Sequence, residues 1–158
     1  MTIQINIGDH ISSEVGYIPI PKKSVPDIRW ARNKAQWITK NIPAADVYFR
    51  TLPGRRSLTA LLADSTIWVN YHATLRDFGE TNVAGGREIA ISSAAFRVGR
   101  WTVLATLIHE LAHVNGVRGA VDPVGAERAV LACGLGKRSE LTTGIDDPRT
   151  PYNPNIRG

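Results

Sequence analysis

The sequence predicts an α+β domain in which a small mixed sheet packs on one buried helix. Three observations support this fold class. Short runs of β-branched and aromatic residues lie between helical patterns, residues 98–115 are apolar almost all round a helical wheel, and 43% of the 158 residues are hydrophobic. We expect one domain over residues 28–136, with an extended lead-in (residues 1–27) and an extended tail (residues 137–158).

The first part of the chain predicts one helix and one strand after the lead-in. Residues 1–27 contain three prolines, which favour an extended segment. Apolar residues then fall on one face of residues 28–41, which predicts an amphipathic helix that ends before Pro43. Residues 46–50 are a candidate for a short strand.

The middle of the chain predicts two further strands. Residues 58–63 fit either a strand or a helix. The β-branched and aromatic residues in 66–72 predict a strand, and residues 87–93 predict another. Between them, three glycines within residues 77–87 indicate a loop.

The last elements are two helices. Residues 98–115 predict a helix that is buried on most of its sides, and Gly116 supplies its C-terminal stop. Asp122, followed by a proline, resembles the cap of a second helix that runs to Cys133. The proline-rich tail has few apolar residues, so we expect it to be extended unless a partner holds it.

Composition excludes several classes of protein. No apolar run approaches the ~20 residues that cross a bilayer, so we expect no membrane partner. The opening segment lacks the basic and apolar regions of a secretory signal, which favours a cytoplasmic protein. The single cysteine, Cys133, cannot form an internal disulfide. The net charge of +5 fits a solvated surface and also allows binding to nucleic acid.

The buried helix carries an HExxH motif at His109, Glu110 and His113. Residues four apart lie one above the other on a helix, so the two imidazoles can bind one Zn²⁺ ion. Glu110 projects beside them and can take a proton from a metal-bound water. Three polar groups in so apolar a helix would otherwise be costly to bury. The motif therefore predicts a zinc site with Glu110 as general base.

A catalytic zinc normally has three protein ligands, so the sequence must supply one more. The distant His10 and His72 are candidates. Two acidic residues follow the motif: Asp122, beyond the glycine-containing turn, and Glu127, on the second helix. Asp122 also suits a helix cap, and Glu127 also suits a solvated or arginine-paired helix face.

Residues 107–135 resemble the core of HExxH zinc metallopeptidases, the zincins, and among them the SprT-like metallopeptidases. Those carry the HExxH helix, a glycine-containing turn, a third histidine and a short helix that ends in Gly-Leu. The resemblance covers roughly residues 86–136 and implies a minimal zincin-like domain. It places the third ligand at Asp122, where an aspartate replaces the histidine. A similar class with a glutamate on the second helix would nominate Glu127 instead.

The resemblance also implies how a substrate is bound. In zincins a sheet edge above the active helix pairs with an extended peptide, a role that residues 87–93 could fill; otherwise they form an ordinary edge strand. Stabilisation of the oxyanion needs a hydrogen-bond donor. His72, Tyr71 and Arg118 are the candidates.

The sequence thus favours zinc-dependent hydrolysis of a peptide or protein substrate. One alternative is a zincin-shaped binding module with little or no catalysis, held in a larger assembly such as a virion through its proline-rich termini. Another alternative, which the resemblance and the basic charge allow, is a DNA-associated SprT-like protease.

Overall fold

The structure is a computed structural model that describes residues 1–136. In chain order its elements are β1 (Gln4–Ile5), a 3-10 turn (Lys22–Ser24), α1 (Val25–Asn41), α2 (Pro43–Phe49), α3 (Leu58–Leu62), β2 (Trp68–His72), β3 (Gly79–Thr81), β4 (Glu88–Ser92), α4 (Ser93–Val98), α5 (Arg100–Val114) and α6 (Gly125–Ala132). The predicted α+β class is confirmed. The predicted tail, residues 137–158, lies outside the described residues.

The sheet is mixed and has the strand order β1-β2-β4-β3. β2 is parallel to β1 and β4, and β3 runs antiparallel to β4. The predicted strand 87–93 is therefore confirmed as a strand, but it is an interior strand and not an edge. The edges are β1 and β3, and β3 lies inside the segment predicted to be a loop. A strand of three residues is too short to show a period of its own, and pairing with β4 defines it.

One face of the sheet packs on α5 and contributes to the hydrophobic core. Val69 of β2 and Ile89 and Ile91 of β4 lie on this face, and all three are fully buried. On the other side of α5 lies α1, whose apolar stripe faces it. The HExxH helix is thus enclosed between the sheet and α1, as the sequence predicts for a helix that is apolar almost all round.

The opposite face of the sheet is covered by residues 7–17, which we call the N-terminal strap. The ring of His10 stacks on Trp68 with centroids 4.1 Å apart, and its Nε2 lies 2.6 Å from Oε1 of Glu88. The strap returns to the sheet where Ile18 bridges to Tyr71. The first 27 residues therefore hold more than a lead-in, since they contribute a strand and a covering layer, and α1 begins within them.

The predicted strand 46–50 is wrong, because these residues belong to helix α2. Pro43 ends α1 but also begins α2, since proline is tolerated in a first helical turn. Ala45 and Phe49, four residues apart, are both fully buried, which is the spacing of a helix face. The ambiguous segment 58–63 is helical and is capped by the Ser57 side chain.

The two C-terminal helices are confirmed with shifted starts. α5 begins at Arg100, because Gly99, with φ +142°, separates it from α4. α6 begins at Gly125, and the residue before it is Val124, so Asp122 is not its cap. Within residues 1–136, no helix is both long and apolar enough to cross a bilayer.

Candidate active site

The HExxH motif forms the floor of a cleft of about 390 Å³. His109 and Glu110 are 2% and 4% exposed, and His113 is half-buried. One wall of the cleft is β3 with the turn before it, and the other is the turn that follows α5. The lining residues are Asp77, Phe78, Gly79, Glu80, Thr81, Ala84, His109, Glu110, His113, Val117, Arg118, Gly119 and Ala120.

The two histidines point the same ring nitrogen at one place. Nε2 of His109 lies 3.3 Å from Nε2 of His113. A tetrahedral zinc site with bonds of about 2.0–2.1 Å places two ligand nitrogens about 3.3–3.4 Å apart. The spacing of this pair therefore fits a shared zinc ion.

Each of the other two ring nitrogens lies close to an oxygen of the protein. Nδ1 of His113 donates to the carbonyl oxygen of Val117 at 2.8 Å, which leaves the Nε2 lone pair for a metal. Nδ1 of His109 lies 3.3 Å from Oε1 of Glu127, and both side chains are buried. A carboxylate or carbonyl behind each ligating imidazole is the usual support of a metal-binding histidine.

The turn after α5 explains why the Val117 carbonyl is in place. Gly116, with φ +93°, donates its N–H to the carbonyl of His113, and the Val117 N–H reaches back to Ala112. This is a Schellman motif, which requires the left-handed residue that glycine supplies. The predicted C-terminal stop at Gly116 is confirmed, and it also positions His113.

Asn115 anchors the same end of the helix to a distant loop. The Nδ2 group of its side chain donates to the backbone carbonyls of Phe49 and Arg56 at 2.8 Å each. Its backbone carbonyl accepts from the N–H of Gly54 at 2.7 Å. Asn115 is 1% exposed. A buried side chain with its hydrogen bonds satisfied is rigid, so the C-terminal end of the motif helix is fixed.

Glu110 is oriented by the edge strand. The hydroxyl of Thr81 donates to Oε2 of Glu110 at 2.7 Å. β3 and α5 approach closely at Gly79, which has no side chain. A Cβ added there would lie only 2.5 Å from Cγ2 of Thr106 and 3.1 Å from Cγ of Glu110. Only glycine fits at residue 79 without a shift of its neighbours.

The structure does not bring Asp122 to the histidine pair. Its carboxylate lies at the start of α6, where Oδ2 fills the space that a side chain on Gly125 would take. Its N–H bonds the carbonyl of Arg118, and its side chain does not line the cleft. Glu127 contacts His109 alone, at Nδ1, on the side of the ring away from His113 Nε2. Within residues 1–136 no group of three potential metal ligands is assembled.

The two histidines that were candidates for the third ligand, His10 and His72, lie outside the cleft. His10 is bound to Glu88 on the strap side of the sheet. Nδ1 of His72 accepts from the N–H groups of Thr74 and Leu75, and its ring packs near Gly16. Neither histidine lines the cleft.

Of the three candidates for oxyanion donor, only Arg118 lines the cleft, from the wall formed by the turn after α5. Tyr71 packs against Phe96 and lines a second, separate pocket. His72 is occupied by the turn that follows β2. The cleft therefore contains one of the three donors that the sequence nominates.

Three residues of the site carry no signal in the sequence. Thr81 and Glu80 lie in the segment predicted as a loop, and Tyr17 lies in the predicted lead-in. The Tyr17 hydroxyl donates to Oε1 of Glu80 at 2.9 Å, across 63 residues of sequence. Burial, reinforced by this bond to Glu80, raises the pKa of Tyr17, so its hydroxyl stays protonated.

Comparison with known proteins leaves the family open. No protein-family model matches the chain, and neither a curated protein nor a solved structure matches it. The functional argument therefore rests on the geometry of the cleft.

Proposed function

We propose that the chain is a zinc-dependent peptidase of the zincin type whose active site is the cleft above α5. The observation that carries the proposal is the 3.3 Å separation of the two Nε2 atoms, with each Nδ1 facing an oxygen of the protein. Helical spacing alone would bring the rings together, but it would not supply both oxygens behind them.

His109 and His113 would hold the metal. Zinc in such a site lowers the pKa of a bound water to about 7 and polarises a substrate carbonyl. The His113 ring is fixed in the tautomer that this requires, since its Nδ1 is committed as a donor to Val117. The α5 helix and its buried surroundings exclude bulk solvent from behind the pair.

Glu110 would act as the general base. Its carboxylate lines the cleft beside the histidine pair, and Thr81 holds one of its oxygens. It can accept a proton from the attacking water and pass it to the nitrogen of the leaving amine. The hydrogen bond from Thr81 fixes the carboxylate plane during both transfers.

The substrate backbone would pair with the outer edge of β3. Ser92 donates to Phe78 and Asn82 donates to Glu88, so the alternation of an antiparallel ladder turns the backbone groups of residues 79 and 81 away from β4. Among the described residues, no other backbone group bonds them. An extended peptide could fill this edge above Glu110.

Metal analysis of the purified protein tests the proposal, together with digestion of an unfolded protein such as casein. We expect about one zinc per chain and slow cleavage in the wild type. Glu110→Gln should keep the metal and lose the cleavage, and it preserves the size of the side chain. A wild-type protein that takes up no zinc after refolding with excess metal would overturn the ligand assignment.

A second candidate function is favoured by the ligand set, because residues 1–136 supply no third metal ligand beside the two histidines. This candidate is a zincin-shaped binding module with little or no catalysis. Zinc binding without cleavage of any peptide, together with a stable complex with an assembly partner, would support it over the peptidase.

A further inference from the structure

Glu80 lies at the rim of the cleft and is held in one orientation. It is the middle residue of β3, it is exposed and it is one of the residues that line the cleft, and its side chain lies on the face of the sheet that the strap covers. Oε1 accepts the hydrogen bond of Tyr17, whereas Oε2 has no hydrogen bond within residues 1–136. One carboxylate oxygen is therefore available to a substrate side chain that lies beside Glu80 on the same face of the sheet edge.

The strap makes this orientation stable. Tyr17 is 6% exposed, and its ring meets His72 edge-on at 6.2 Å, so the hydroxyl has little freedom. A second strap contact holds the residues after β3, where the amide of Asn82 donates to Glu14 at 3.3 Å. Buried, hydrogen-bonded supports are what keep a recognition group in position.

The charges of the two walls differ. Asp77 lies on the same wall as Glu80, and Arg118 lies on the opposite wall. Both are exposed. A cationic side chain is therefore favoured beside the β3 wall and disfavoured beside the opposite wall.

The strand geometry assigns the contact to one residue of the substrate. Side chains alternate across a sheet, and residues directly opposite each other on paired strands point to the same face. In a peptide paired with β3, the residue opposite Glu80 would point towards the Glu80 carboxylate. Its neighbours would point towards α5 and the histidine pair.

We propose that Glu80, oriented by Tyr17, makes the cleft selective for peptides that carry a lysine or arginine opposite it, next to the bond placed over the histidine pair. This inference rests on the proposed peptidase function and names its substrate class. Glu80 is the specificity-determining residue and Tyr17 is a positioning residue.

Two variants separate charge from orientation. Glu80→Gln keeps an acceptor for the Tyr17 hydroxyl and removes the charge, whereas Tyr17→Phe keeps the charge and releases the orientation. The probes are eight-residue peptides with a single lysine moved through each position, paired with the same peptides carrying norleucine. Asp27→Asn is the matched control, because this carboxylate lines the other pocket.

In the wild type we expect kcat/KM for the best lysine peptide to be about five times that for the matching norleucine peptide. A ratio of this size suits an ion pair near the surface. Glu80→Gln should abolish this ratio, mainly by lowering kcat/KM for the lysine peptide. Tyr17→Phe should lower the ratio about twofold through KM, and Asp27→Asn should leave it unchanged. An unaltered ratio in Glu80→Gln would overturn the proposal.

Peptide binding to the Glu110→Gln variant separates this inference from the proposed function. Fluorescence anisotropy of labelled lysine and norleucine peptides requires no cleavage. The expected result is tighter binding of the lysine peptide to Glu110→Gln, and equal binding of the two peptides once Glu80→Gln is added to that variant. This result supports the selectivity even if the wild type cleaves nothing. Equal binding of both peptides, or binding of neither, overturns it.

Discussion

The carbonyl oxygen of Val117 lies 2.8 Å from Nδ1 of His113, four residues before it in the chain. The chain must reverse direction at once for this contact to form. Gly116 permits the reversal because its φ of +93° lies in the left-handed region. A feature that usually only ends a helix therefore also orients a proposed metal ligand.

Gly116→Ala should weaken both the fold and the zinc site. The left-handed backbone costs a non-glycine residue about 1–2 kcal/mol, and the new Cβ would lie 3.0 Å from Cβ of Pro53. Displacement of the Val117 carbonyl should lower zinc affinity about tenfold. Competition with a chelating dye measures the affinity, and urea unfolding measures the stability.

Gly8→Ala is the control for Gly116→Ala. Gly8 has φ +112° and nothing within 4 Å of an added Cβ, so it carries the backbone cost alone. We expect a similar loss of stability and no change in zinc affinity. Equal zinc affinity in both variants would mean that the Val117 contact does not support the metal.

Gly79→Ala should separate β3 from α5. The added Cβ would lie 2.5 Å from Cγ2 of Thr106, an overpacked contact that costs about 1–3 kcal/mol. We expect loss of cleavage because Thr81 moves away from Glu110. Adding Thr106→Ser removes the clashing methyl group but keeps the hydroxyl, so the double variant should recover part of both stability and activity. Absence of any recovery would refute the steric explanation.

Thr81→Val should slow catalysis and leave the metal in place. The change removes the hydroxyl that donates to Oε2 of Glu110 at 2.7 Å but keeps the shape of the side chain. Loss of one support of a site residue commonly costs about tenfold in activity. Thr81→Ser retains the donor and should behave like the wild type. Zinc content and kcat/KM, measured on the same preparations, test this prediction.

The acidic residues after the motif should respond differently to substitution. Glu127 lies behind His109, so Glu127→Ala should reduce zinc affinity by about ten- to a hundredfold without abolishing binding. Asp122 lies at the start of α6, so Asp122→Asn should keep the metal. If Asp122→Asn instead loses zinc, Asp122 is the third ligand that the sequence resemblance implies.

Acid should remove a contribution of Asp64 to stability. Burial raises the pKa of Asp64, but hydrogen bonds from Thr66, Arg56 and Arg87 outweigh it and hold this pKa well below its usual range. The contribution is therefore complete above the unfolded pKa of about 3.9 and is lost as pH falls below it. Asp64→Asn should cost about 1.5–3 kcal/mol at pH 7.

The free energy of unfolding at pH 7 and pH 3 tests the role of Asp64. The gap between Asp64→Asn and the wild type should shrink at pH 3, because Asp64 is then mostly protonated in the unfolded chain while it stays ionised in the folded protein. Asp9→Asn removes an exposed carboxylate and should change little at either pH. A gap that stays constant with pH would exclude the ionised carboxylate as the source.

The sequence predicts the floor of the cleft but not its walls. His109, Glu110 and His113 are neighbours on one helix, so their spacing alone brings them together. Tyr17 and Glu80 meet across 63 residues, and no local pattern encodes that contact. Fold class, α1 and α5 were predictable because long apolar periodicities define them.

The errors in the prediction have local causes. Pro43 predicts the end of α1, but proline can also begin a helix, so this signal does not reveal α2. β3 was missed because pairing with β4, not its own composition, makes it a strand. The third-ligand role of Asp122, which the resemblance implies, stays a prediction, and the structure places its side chain beside Gly125 at the start of α6.

The strap joins parts of the cleft that are far apart in the sequence. Its contacts to β3 and β4 join residues that are 63 to 78 positions apart in the chain. Contacts of such high sequence separation raise contact order, because a long loop must lose entropy before they form. The helix that carries the motif can form from local interactions, whereas the rim that would select a substrate forms only when the two ends of this loop meet. We therefore expect the rim of the cleft to form later than the helix that carries the histidine pair.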